Sequence, residues 1–280
     1  MKTRASGIVV AALLAVGLCA CAGAPAPSGL AASALDNPGF TWLHRSVAGF
    51  RVYFKTGGYA ARHQDSLLAR LPASLRHARD LLHTTAPDGP IDVFFVESRD
   101  DMSALIGAKA TGFADQAARA VFLVNNPSWR AFDRHEIMHV VSFHAWGPPA
   151  PNNDWLQEGL AQAADGRCGD YTNEAVLRGF TQRHGWVSLE DMLVNFRQQP
   201  DLRAYLQAAA FTRYLLDTFG PEALRLLWQR GATPDTEVGG RSLADLEAQW
   251  RARIAAGEQP AAADLAAIEE TGCGVTRWTR

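Results

Sequence analysis

The chain has 280 residues, a formal net charge of −2, 48% hydrophobic residues and 20% charged residues. That is ordinary globular composition, long enough for one large domain or two lobes. It excludes a nucleic-acid binder that works through a basic surface: acids balance bases, and the 24 arginines are scattered.

The N-terminus reads as a targeting segment. Lys2 and Arg4 form a positive start, and Ile8 to Leu18 is an apolar run too short to span a membrane as a helix. It ends in Leu18-Cys19-Ala20-Cys21, which resembles a bacterial lipobox. That resemblance implies a signal peptide over 1–20, a lipid on Cys21 and anchoring to the cell envelope, on the outer membrane where the source has two. An ordinary secretory signal is the alternative. Residues 21–40 are rich in Ala, Pro, Gly and Ser and read as a flexible tether.

Phe50 to Phe54 alternates as a strand does and stops at Gly57-Gly58. Ala60 to His83 has helical spacing, with Pro72 expected to kink or split it. Ile91–Val96 and Arg119–Val124 are strands, with a short helix near Asp100–Ile106 between them. Asn126-Pro127 predicts the start of a helix running to about Ala145, where Gly147-Pro148-Pro149 stops it. Asn153-Asp154 caps the next helix, which ends near Gly166. Further helices are expected over Asn173–His184, Leu202–Phe219, Pro221–Gln229 and Ser242–Ala255, with the acids and arginines of the last one facing solvent. Residues 231–240 read as a loop, and the tail over 257–280 has no clear pattern. The class is α+β: one domain over 41–256, with a small mixed-sheet lobe (41–146) before an all-helical lobe (147–256).

His135-Glu136-Ile137-Met138-His139 sits on the helix that closes the first lobe. Residues four apart share one helix face, so His135 and His139 can aim two imidazoles at one point. Glu136 is beside them, placed to activate a water there. Eighteen residues separate His139 from Glu158, which can supply a third ligand from one turn into the next helix. Two histidines, a carboxylate and an open position are the ligand set of a catalytic zinc site, with one ion per chain. His144 and His184 fall outside this set.

The arrangement resembles the gluzincins, the thermolysin-like clan of metallopeptidases. Trp155-Leu156-Gln157-Glu158-Gly159-Leu160-Ala161 is similar to the W-L-x-E-G-x-A segment of the aminopeptidase N family and of bacterial "peptidase MA-like" proteins. Tyr205 to Leu215 resembles that family's Y-x-K-G helix, with Gln207-Ala208 in place of K-G. The resemblance covers about residues 110–220. It implies a thermolysin-like zincin fold, hydrolysis of peptide or protein substrates, Glu136 as general base and Tyr205 as oxyanion donor. It also puts Gly112-Phe113-Ala114-Asp115 where the family's substrate-binding strand lies. Asp115 is a weak substitute for the glutamate that grips a free amine there. Gln162 stands where thermolysin has an aspartate behind a ligand histidine, and Asp165 lies on nearly the same face as a candidate for that support.

Two alternatives stay open: an envelope scaffold or binding lipoprotein without catalysis, and a zinc amidase acting on cell-wall amides. Cys168 and Cys273 remain after processing. Outside the cytoplasm they are candidates for a disulfide pinning the tail to the helix of Glu158.

Overall fold

Alternation along the central strands builds a two-faced sheet. In the computed structural model, which describes residues 26–274, Phe50, Val52 and Phe54 point to one face and Tyr53 to the other. Cys21 and the signal peptide lie outside the described residues.

The first part of the chain runs α1 (Gly29–Asp36), β1 (Trp42–Val47), β2 (Phe50–Lys55), α2 (Tyr59–Arg62), α3 (Gln64–Leu82), β3 (Ile91–Val96), α4 (Arg99–Ile106), β4 (Gly112–Asp115), β5 (Ala120–Val124) and α5 (Asp133–Trp146). The sheet order is β1-β2-β3-β5-β4. β2, β3 and β5 are parallel, and β1 and β4 are antiparallel edges. Both faces of the inner strands are covered: β5 is an unbroken apolar run, and the charged residues of β2 and β3, Arg51 and the buried Asp92, pair with each other at 2.6 Å. Apolar residues of α3 and α5 cover one face, and those of α1 and α4 cover the other.

The second part is helical. It runs α6 (Asp154–Asp165), the short hairpin β6 (Arg167–Cys168) and β7 (Tyr171–Thr172), α7 (Asn173–His184), α8 (Leu189–Val194), a 3-10 turn at Phe196–Gln198, α9 (Asp201–Arg230), the hairpin β8 (Glu237–Val238) and β9 (Arg241–Ser242), α10 (Leu243–Ile254) and α11 (Ala262–Thr271). The molecule is thus mixed α and β around one five-stranded sheet. Among the described residues no helix is long and apolar enough to cross a membrane.

Several sequence expectations need correction. The tether over 21–40 contains α1. Ala31 and Ala34 on it are almost fully buried, and Trp42 Nε1 donates to the Ala34 carbonyl at 3.0 Å. Small residues that read as a linker pack here because a methyl group fits close to the sheet. Pro72 does not split its helix. α3 runs through it with the Leu68 carbonyl losing its usual partner, and the break falls at His63 instead. Asn126-Pro127 forms a turn rather than a helix start. Asn126 Oδ1 accepts from Ser128 N at 2.9 Å, and its Nδ2 donates to the Glu97 carbonyl at 2.8 Å. The same side-chain chemistry that caps helices also closes turns, so α5 begins at Asp133. The two helices expected on either side of Gly220 are present: α9 breaks at Gly220, whose φ of 77° and ψ of 173° are non-helical. The 231–240 loop carries β8. The tail, read as patternless, contains α11, where Leu265 and Ile268 are buried. Glu247, expected on a solvated face, is buried and paired with Arg251 at 2.5 Å.

Two contacts fix the helices of interest. Asp133, in the first turn of α5, is buried and takes bonds from Arg70 (2.7 Å) and Ser74 (2.6 Å) of α3. Gly159 lets α6 cross α9 closely. A Cβ there would lie 2.5 Å from Thr212 Oγ1 and 2.8 Å from the Ala208 carbonyl.

Candidate metal centre

α5 is buried over most of its length, with Arg134 exposed, and it turns His135, Glu136 and His139 toward the cleft. The Nε2 atoms of His135 and His139 lie 3.2 Å apart. Glu158 Oε2, reaching across from α6, is 3.3 Å from His135 Nε2 and 3.5 Å from His139 Nε2. A tetrahedral ion with ligand bonds of about 2.0–2.1 Å would hold its ligand atoms about 3.3 Å apart. The three donor atoms already have that spacing, so this buried set can hold a metal ion.

The electrostatics suit a cation. Burial opposes the charged form of Glu158, but the His139 charge and hydrogen bonds from both histidines outweigh it and hold the carboxyl well below its usual range. Burial likewise opposes charge on His135. The hydrogen bond to Glu158 and the charges of Glu136, Glu158 and Asp165 overcome this and raise its pKa to about 9. Burial raises the pKa of Glu136, with the two histidines pulling the other way. A carboxylate made more basic in this way is a better proton acceptor near neutral pH.

These groups line a cleft of about 810 Å³ between the β4 edge and the helical part. Gly112, Phe113 and Ala114 form one wall of it, so β4 does present an edge to the cleft. Gly112 is small for a local reason. A Cβ there would run into Glu136 Oε1 and lie 2.9 Å from its Cδ and 3.1 Å from its Cγ. Gly112→Ala should displace the Glu136 carboxylate and leave the three converging ligand atoms in place; for the hydrolase proposed below, that lowers turnover on the order of 10²-fold with metal content intact. Steady-state kinetics with metal analysis checks this, and wild-type turnover would contradict it. The same change should be silent in a Glu136→Gln background.

Other expected site residues fall elsewhere. Asp115 is not on the cleft wall. Its Oδ2 accepts from Leu30 N at 3.2 Å and its Oδ1 from Ala118 N at 3.2 Å, so it anchors the start of α1 to the sheet edge. Asp165, expected behind a ligand histidine, pairs instead with Arg130 at 2.7 Å. Gln162 does lie on the cleft wall, but its Nε2 donates to Asn173 Oδ1 at 3.1 Å and ties α6 to α7. His139 Nδ1 is buried with no hydrogen-bond partner among the described residues. His144 bonds the Gln116 carbonyl at 2.9 Å, and His184 pairs with Glu269 at 2.8 Å. Trp155 is fully buried in the core.

Tyr205 lines the cleft, held by its ring against Phe196 at 5.1 Å. Its hydroxyl oxygen accepts from Arg197 at 2.9 Å. Arg197 was not legible in the sequence. It lies in no motif, and only the fold brings it to the cleft. Cys168 and Cys273 form a disulfide. It brings Gly272 and Cys273 to the cleft wall, where Arg130 N also bonds the Gly274 carbonyl at 2.9 Å.

No protein-family model matches this chain, and no curated protein matches it.

Proposed function

We propose that the chain is a zinc-dependent metallopeptidase of the bacterial cell envelope with a gluzincin-type catalytic domain. The observation that carries this is the convergence of His135, His139 and Glu158 Oε2 at 3.2–3.5 Å in a buried site with a second carboxylate, Glu136, beside it. Neutral imidazoles and a carboxylate suit zinc, and three protein ligands leave a position open for chemistry. Zinc, when bound, supplies a Lewis acid that makes water nucleophilic near neutral pH.

The chain's own groups do the rest. Glu136 takes the proton of the attacking water and returns it to the departing amide nitrogen. Tyr205, one helix away on the cleft wall, donates its hydroxyl proton in a hydrogen bond to the oxyanion. The β4 edge offers backbone groups to an extended substrate, as strand addition requires. An N-terminal lipid on Cys21 would keep this activity at the membrane surface.

The test is cleavage of a peptide library by the purified chain without its signal peptide. Cleavage should stop with a chelator and return with zinc. Chelator-insensitive cleavage would contradict a metal mechanism, and release of cell-wall amides without peptide cleavage would move the substrate class.

A further inference from the structure

Arg197 touches three groups of the cleft at once. One guanidinium nitrogen donates to Glu158 Oε1 at 3.0 Å and to Asp154 Oδ1 at 2.9 Å, and the other donates to Tyr205 Oη at 2.9 Å. Glu158 is therefore split between two tasks: Oε2 faces the histidines and Oε1 is held by Arg197. Asp154 opens α6, so the same fork fixes the helix end that carries Glu158.

We propose that Arg197 is the positioning residue of this centre: it holds Glu158 with one oxygen toward the metal and orients the Tyr205 hydroxyl toward the substrate. This rests on the metallopeptidase reading. The planar fork of arginine makes both contacts in one fixed geometry, which a lysine ammonium cannot do. A carboxylate whose second oxygen is bound elsewhere has one orientation left for a metal, and outer contacts of this kind tune ligands. Donation into Oη makes that oxygen the acceptor, so the Tyr205 O–H bond is directed away from the guanidinium. The positive charge of Arg197 opposes a bound cation. Its side chain is 55% exposed, however, so water screens that repulsion, while the direction of the hydrogen bonds is unaffected.

The experiment compares wild type, Arg197→Ala and Arg197→Lys. Zinc affinity is measured by competition with a chromophoric chelator, which needs no substrate. Arg197→Ala should bind zinc about 10–100-fold more weakly. Arg197→Lys should recover only part of the loss, and thermal unfolding should move little because the guanidinium is half exposed and the buried Glu158 keeps both histidine partners. On a cleaved peptide, Arg197→Ala should lower kcat more than it changes KM, by a smaller factor in a Tyr205→Phe background than in the wild type. Unchanged or tighter zinc binding in Arg197→Ala would overturn the proposal, and so would full recovery by lysine. A wild-type chain that binds no zinc would overturn the metallopeptidase reading itself, and this inference with it.

Discussion

Glu136→Gln should abolish turnover and leave the centre otherwise intact. Glu136 is not one of the three converging ligands, so zinc content should match wild type. The amide has nearly the shape of the carboxylate and can keep its place against Gly112. It cannot take a proton, and general-base catalysis is worth about 10²–10⁴-fold in rate. Replacing a buried carboxylate, whose pKa burial raises, with a neutral group should also leave thermal stability unchanged or slightly higher. Kinetics on a cleaved peptide, metal analysis and thermal unfolding check the three parts. Turnover within about tenfold of wild type would remove Glu136 from the role of base. A biological effect of the chain that survived the substitution would instead favour an envelope scaffold.

The second large effect concerns the disulfide. Cys168 and Cys273 are 105 residues apart in sequence. In the chain-entropy account a crosslink closing a loop of that size adds about 4–5 kcal/mol of stability. For a chain of this length that corresponds to a fall in Tm on the order of 10 °C when the crosslink is removed. A Cys168→Ala/Cys273→Ala variant should show this fall. It should also lose activity beyond what unfolding explains, because Gly272 and Cys273 form part of the cleft wall and Gly169 N bonds the Cys273 carbonyl at 3.3 Å. Reduction of the wild type should reproduce the variant's Tm. An unchanged Tm in both would mean that packing of α11 alone holds the tail.

The core of the centre was legible because it is local. His135, Glu136 and His139 lie within five residues on one helix, and helix periodicity alone decides which way they point. Glu158 was legible from its helix, although the 18 intervening residues fold only in context. The inner strands were legible, β2 from its alternation and β3 and β5 from their runs of Val, Phe, Ile and Leu. β1 did not, because an edge strand with Arg45 and Ser46 exposed has no apolar alternation to read. α1 was hidden because its buried residues are alanines in a segment whose composition matches a linker. The start of α5 was misplaced because Asn and Pro serve turns and helix starts equally well. The surroundings of the ligands were illegible for a deeper reason. Asp115, Asp165 and Arg197 have roles set by which arginine or backbone amide the fold brings near, and no spacing along the chain encodes that.

The most direct measurement is the metal content of the purified chain without its signal peptide, prepared in the absence of chelators, beside that of Glu158→Ala. Three converging ligands predict about one zinc per chain in the wild type and a lost or much weakened ion in the variant. A folded wild-type protein with no zinc would contradict the metallopeptidase assignment.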